Sequence, residues 1–160
     1  VLRASPTKVE TGTLTVVEMR EFGMPLLREH WQEIALNKKL MVLAPDWARY
    51  ERLEAEHKLL ALGTWDCSEL TRKLIGYSVS FIGTHLHYSD LTCCMNDVLF
   101  VCPDMRASRI GFRLIHETER VAKLRGARMM LWHAKPATAF ELLLPQLGYG
   151  VQDIMFSKEL

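Results

Sequence analysis

The sequence predicts an α/β (α+β) domain built on one mixed, mostly antiparallel sheet. Three observations carry that expectation. The 160 residues are 49% hydrophobic and 24% charged, the balance of a single globular domain with a core of its own. Segments patterned as strands and helices interleave in the order strand, helix, helix, several strands, helix, strand, helix, strand, with no internal repeat, low-complexity tract or linker. At the centre, Leu99 to Gly126 passes from an apolar strand through a Pro-Asp turn and a basic, glycine-containing loop into a helix. A strand-helix-strand crossover there implies one parallel pair in an otherwise antiparallel sheet.

Residues 1–12 are expected as a loose terminus, because the opening residues carry no periodicity. Thr13 to Met19 is β-branched and alternating, which reads as a strand. From Met24 to Leu36, Leu27, Trp31, Ile34 and Ala35 recur at helical spacing, opposite Arg28, Glu29, Gln32 and Glu33. After a connector from Lys38 to Pro45, Asp46 is placed to cap a second helix through Trp47, Tyr50, Leu53 and Leu60, with Gly63 ending it. Lys73 to Gly83 and Cys93 to Cys102 read as strands joined by the polar aromatic link Thr84 to Asp90, which fits an antiparallel hairpin. Ile110, Leu114, Ile115, Val121 and Leu124 form the stripe of a helix that Gly126 stops. Ala127 to Ala134 reads as a strand, Pro136 to Leu147 as a helix closed by Gly148, and Val151 to Leu160 as a final strand.

Composition narrows the function classes. No apolar run approaches the roughly 18 residues of a membrane span, and no charged-then-apolar segment resembles a signal peptide. The expectation is a cytoplasmic protein with no membrane partner. Cys67, Cys93, Cys94 and Cys102 include no CxxC, so neither a disulfide framework nor a zinc knuckle is indicated, and no metal site is expected. Net charge is +1, but its distribution is uneven. Seven basic residues between Arg106 and Arg128 face only Glu117 and Glu119, whereas Glu10 to Glu69 holds eleven acids against seven bases. The first region suits a polyanionic ligand and the second a cationic one, unless both are solvated helix faces.

The central stretch has the parts of a phosphate cradle: strand, loop and helix N-terminus in succession. Arg106, Ala107, Ser108, Arg109, Ile110 and Gly111, together with this element order, resemble the acetyl-coenzyme A signature Q/R-x-x-G-x-G/A of the GNAT superfamily of N-acetyltransferases. The first and last signature positions match, while Arg109 replaces the middle glycine and is accommodated if it takes an ordinary helical conformation. VLFVCPDM before the loop and LGYG at Leu147 to Gly150 are also similar to family features, so the resemblance covers Lys73 to the C-terminus. HLHY followed by ND, RASRIGFRLI, WHAKP and FSKEL further resemble small phage-encoded GNAT-like proteins, for which the setting would be host cytoplasm.

The resemblance implies a sheet with helices on both faces and splayed fourth and fifth strands that admit the pantetheine arm of acetyl-CoA. Main-chain groups around Leu99, Phe100 and Val101 would bind that arm, and Ser108, Ile110 and Gly111 amides with Arg106 and Arg109 would hold the pyrophosphate. Acetyl transfer needs an unprotonated amine, and Asp97, nine positions before Arg106, is the candidate base. It would share a face with Leu99 and Val101 in a regular strand, unless a bulge intervenes. The family's general-acid tyrosine position is Leu144, which leaves Tyr88, His133 or water as donors, or departure of the thiolate unaided. His85 and His87, Lys135, Trp31 and Glu33 are candidate substrate contacts, each with an ordinary structural role as its alternative.

These residues imply acetyl transfer to an amine of a small molecule or a protein by direct attack. Two alternatives stay open: a catalytically weak or inactive acyl-CoA-binding module acting on a host protein, and an acetyltransferase acting on nucleic acid or aminoacyl-tRNA. The basic stretch permits the latter, but no aromatic-basic interleaving marks a nucleic-acid groove. The sequence also leaves homodimer formation open.

Overall fold

The computed structural model describes residues 8–160. Five strands, β1 (Val9–Thr13), β2 (Leu59–Asp66), β3 (Lys73–His85), β4 (Tyr88–Val101) and β5 (Met129–Leu131), form one sheet in sequence order. The first four pair antiparallel and β5 runs parallel to β4, so the inferred crossover is present. The hairpin of β3 and β4 is longer than the sequence pattern indicates, with His85 opposite Tyr88.

Two apolar layers flank the sheet. On one face α1 (Val16–Phe22), α2 (Met24–Ile34) and α3 (Trp47–Ala55) cover Trp65, Tyr77, Val79 and Phe100. On the other, α4 (Ile110–Leu124) packs Ile110, Leu114 and Ala122 on Leu60, Leu62, Ile75 and Val101. Gly76 allows the close approach of α4: a Cβ there would meet Phe100 O at 3.2 Å and Ile110 Cγ2 and Leu114 Cδ1 at 3.3 Å. Thr118 joins the same interface by donating to Leu114 O at 2.7 Å and contacting Ser78 Oγ at 3.0 Å. α5 (Ala139–Leu143) runs into a single 3₁₀ turn, Leu144–Leu147, which ends at left-handed Gly148 (φ +87°). Among the described residues, no helix is long and apolar enough to cross a membrane.

Four sequence expectations are corrected. Thr13 to Met19 is not a strand: Thr15 and Glu18 form a reciprocal capping box, Glu54 Oε1 accepts from Val16 N–H at 2.9 Å, and these caps start α1 against the β propensity of two valines. The strand lies earlier, so residues 9–12 are paired rather than loose; residues 1–7 lie outside the described range. Asp46 does cap α3, through its bond from Arg49 N–H at 3.0 Å, but that helix stops at Ala55 with left-handed His57 (φ 56°) after it. Leu59 to Asp66 is the interior strand β2, buried on both faces, and such a strand shows a continuous apolar run without the alternation that would distinguish it from helix. Finally, Val151 to Leu160 forms no strand; its apolar residues Val151, Ile154, Met155 and Phe156 do not alternate and are exposed.

Candidate active site

The site begins where β4 and β5 part. Their parallel ladder holds Cys93, Cys94 and Met95 opposite Met129, Met130 and Leu131 and then ends, while β4 continues six residues further to Val101. Beyond this point β4 is paired only on its β3 side, which leaves its other main-chain edge facing the gap. His133 spans the apex, its ring Nδ1 donating to Asn96 O at 2.7 Å.

A bulge sits at the same place. Val98 pairs with Val79 and Asn96 with Ser80, so Asp97 is the extra residue. The inserted residue changes the facing of the strand. Leu99 and Val101 belong to the α4 layer, but Asp97 acts electrostatically on Tyr50 and Tyr77, which pack in the α1–α3 layer. The bulge left open by the sequence is thus present, and Asp97 does not share the face of Leu99 and Val101. Desolvation raises the Asp97 carboxyl above the ordinary carboxylate range, against the pull of His133 and Arg49 in the opposite direction. Burial, with a smaller contribution from Asp97, pushes the Tyr50 phenol up to about 12. Tyr50 and Tyr77 therefore stay protonated at neutral pH.

Beneath Asp97 lies a polar pair among apolar neighbours. His30 on α2 is 5% exposed, hydrogen-bonds Tyr77 Oη through Nδ1 at 2.5 Å and stacks on Phe100 with ring centroids 4.5 Å apart. Burial lowers its pKa to about 4, only partly opposed by Glu33, so the imidazole is neutral. Arg49, Tyr50 and Tyr77 act electrostatically with Asp97, and His30 bonds Tyr77; sequence reasoning did not single out these four residues. His30 and Tyr50 fall at helical spacing among apolar neighbours, where they look like ordinary packing residues.

At the far end of β4 the chain turns through the 3₁₀ segment Pro103–Ser108 into α4. Arg109 links them with φ 62° and ψ 9°, the left-handed conformation, so the helical geometry expected of it is corrected. This is a position suited to glycine, and the signature has glycine there. The first helical backbone bond runs from Arg113 N–H to Arg109 O at 3.0 Å, so the amides of Ile110, Gly111 and Phe112 precede the ladder and point out of the helix end. Arg109 and Arg113 are also the first residues of a shallow depression of about 390 Å³ that runs along the outer face of α4 to Arg120. The donors and positive charge fit a pyrophosphate, and the exposed edge of β4 fits an amide-bearing arm.

The other candidates are dispersed. Tyr88, His85 and His87 cluster at the tip of the β3–β4 hairpin, with Tyr88 and His85 rings 4.7 Å apart, nine residues along β4 from Asp97; that is roughly 30 Å of strand. Trp31 donates through Nε1 to Met41 O at 2.5 Å and lies beneath Lys38, holding the connector after α2. Glu33 pairs with Arg106 at 2.6 Å, and Lys135 Nζ donates to Ile34 O at the end of α2. Ser108 Oγ donates to Met105 O inside the 3₁₀ segment. Tyr149, next to the vacated tyrosine position, is engaged by the Glu119 carboxylate of α4. No group of three or more metal-ligating side chains occurs among the described residues.

A sheet of this order, parting between β4 and a parallel β5 beside a helix N-terminus, is the fold of the GNAT N-acetyltransferases. Among solved structures the chain is similar to an aminoglycoside acetyltransferase from an uncultured soil metagenomic sample (TM-score 0.74, 17% identity, 96% of this chain and 99% of that one). It is also similar to the ribosomal-protein-alanine N-acetyltransferase of Brucella melitensis biovar Abortus 2308 (TM-score 0.67, 19% identity, 96% and 99% covered). A third similar structure is AAC(6')-Iy in complex with a bisubstrate analogue, CoA-S-monomethyl-acetylneamine (TM-score 0.65, 17% identity, 96% and 99% covered). No protein-family model matches the chain, and no curated protein matches it in sequence.

Proposed function

We propose that this protein is an acetyl-CoA-dependent N-acetyltransferase that acts by direct attack of an amine. The observation that carries the reading is the coincidence of the β4–β5 gap, the Asp97 bulge at its apex and the α4 N-terminus at its far end. Main-chain groups of Leu99 and Val101 would bind the pantetheine arm, since those of Phe100 face β3 in the register fixed by the Cys102 N–H to Ile75 O bond; the amides of Ile110 and Gly111, with Arg109, would hold the pyrophosphate. Bound acetyl-CoA supplies an activated acetyl thioester.

Asp97 then accepts the proton that an ammonium must lose before its nitrogen can attack. Desolvation raises its pKa and makes it a stronger base than an exposed carboxylate. The nitrogen would form the amide bond as the thioester C–S bond breaks, and the second proton that the nitrogen sheds would pass by way of His133 or water to the departing thiolate. Leu144 offers that thiolate no proton. His133 stands at the gap, whereas Tyr88 lies at the remote hairpin tip. His133 or a water molecule is therefore the better placed donor. The acceptor is an amine of a small molecule or a protein, and the setting is cytoplasmic, where the donor is made.

Leu144 gives a second reading its support: a module that binds acyl-CoA and has lost catalysis. The nucleic-acid alternative loses ground, since Glu117 and Glu119 already engage Arg120 and His116 on the basic helix. The deciding experiment has two parts. Saturating acetyl-CoA should raise the melting temperature, with a smaller shift in an Arg106→Ala/Arg109→Ala variant; absence of any shift would overturn cofactor binding. Thiol release over an amine panel, abolished by Asp97→Asn, separates the enzyme from the inert binder.

A further inference from the structure

Arg106 opens the signature loop, and its guanidinium is engaged by β4 and α2. Nε donates to Val101 O at 3.0 Å, Nη2 reaches Glu33 Oε2 at 2.6 Å, and the guanidinium carbon lies 5.2 Å from the centre of the Phe100 ring. Two of these partners bear on the gap. Val101 O is at the end of the β4 edge along which the arm would lie, and Glu33 belongs to the last turn of α2. From the β5 side Lys135 reaches the same helix end, at Ile34 O. The segments that follow both diverging strands are thus fastened to the C-terminal end of α2.

We infer that the Arg106–Glu33 pair is a latch across the mouth of the β4–β5 gap, and that it opens when the pyrophosphate of coenzyme A takes Arg106 in exchange for Glu33. The inference rests on the acetyl-CoA reading above. In the latched state Arg106 occupies Val101 O and spends its charge on a carboxylate. In the loaded state both the carbonyl and the cation are available to the ligand, and the end of α2 loses one of its two fastenings. The exchange is feasible because the pair is not enclosed: the side chains are 44% and 42% exposed. Exposed pairs of this kind hold weakly, so a polyphosphate can displace one. The Lys135 contact does not involve the Glu33 carboxylate and leaves α2 attached while the latch changes partner.

The test is titration calorimetry of coenzyme A into the wild type, Glu33→Gln, Arg106→Ala and the double variant, at one fixed low salt concentration. Glu29→Gln, one turn earlier on α2, controls for removing a negative charge from that helix. Glu33→Gln should tighten binding by about two- to five-fold, the equivalent of an exposed ion pair no longer broken. Glu29→Gln should not reproduce the gain, and Glu33→Gln should add nothing in the Arg106→Ala background. Unchanged or weaker binding by Glu33→Gln overturns the latch, as does an equal gain in the Arg106→Ala background, which would mark a general field effect. If neither wild type nor any variant binds, the acetyl-CoA reading fails and takes the latch with it; binding by wild type without the Glu33→Gln gain removes the latch alone.

Discussion

Arg109 combines two opposed demands, and one pair of substitutions separates them. Its left-handed φ of 62° is unfavourable for a residue with a Cβ, at about 1–2 kcal/mol. Its exposed side chain contributes no core packing but places a positive charge beside the amides expected to meet pyrophosphate. Arg109→Ala removes the charge and keeps the Cβ; Arg109→Gly removes both. Allowing for glycine's greater freedom in the unfolded chain, the glycine variant should be more stable than the alanine variant by about 1 kcal/mol. For a chain of this size that corresponds to roughly 2–4 °C in melting temperature, readable by calorimetry without ligand. Both variants should bind coenzyme A more weakly than wild type, by about five- to ten-fold if one charge-assisted phosphate contact is lost. The glycine variant would then be more stable than wild type and worse at binding. Equal melting temperatures for the two variants would refute the strained cap, and unchanged affinity in both would refute the cradle.

Three further outcomes follow from the fold and the site. Gly76→Ala should destabilise by about 1–3 kcal/mol, because its Cβ would meet the Phe100 carbonyl at 3.2 Å and backbone cannot yield as a side chain does; denaturant unfolding measures this, and weaker coenzyme A binding should accompany the displaced α4. His30, with its pKa lowered to about 4 from an unfolded value of 6.5, binds its proton less readily when folded. The stability it confers is complete above pH 6.5 and is lost as pH falls from 6.5 through 4, by about 3 kcal/mol; melting curves over that range should show the loss in wild type and not in His30→Gln. Asp97→Asn should lower thiol release in the presence of a reactive amine by about 10²–10⁴-fold. In the wild type, the acid limb assigned to Asp97 should lie above the ordinary carboxylate range, as desolvation requires.

Sequence legibility divides along physical lines. The parallel crossover, α2, α4 and the β3–β4 hairpin were readable because each shows a period or a stop signal of its own, as in the stripe from Ile110 to Leu124 and Gly126 at φ +86°. β2 was not, since burial on both faces removes alternation and leaves leucines and an alanine that favour helix equally well. α1 was hidden for the converse reason. Val16 and Val17 favour strand, and the helix depends on a cap supplied partly by Glu54, thirty-eight residues away. Within the site, the signature loop and Asp97 were legible as text, but the partners of Asp97 were not. Arg49 and Tyr50 come from α3, Tyr77 from β3 and His133 from beyond β5, and no local pattern announces their meeting. His85, His87 and Tyr88 show the reverse: adjacent in sequence, chemically suggestive, and placed by a long hairpin far from the gap.

The bulge and the parting of the strands are connected. The last β4–β5 pair is Met95 with Leu131, and the residue without a β3 partner follows two positions later. An inserted residue bends its strand and increases the local twist, which turns the remainder of β4 away from β5 and opens its main-chain edge. The same insertion reverses the facing of the chain. In a regular strand Asp97 would join Leu99 and Val101 against α4, where an unpaired carboxylate would be buried in an apolar layer. With the bulge, Leu99 and Val101 keep the α4 face, and Asp97 turns towards Tyr50 and Tyr77 beneath α2 and α3. One extra residue therefore does two things that the proposed amine acetylation would need together: it frees a backbone edge for a donor arm, and it moves the candidate base to the face of Tyr50 and Tyr77.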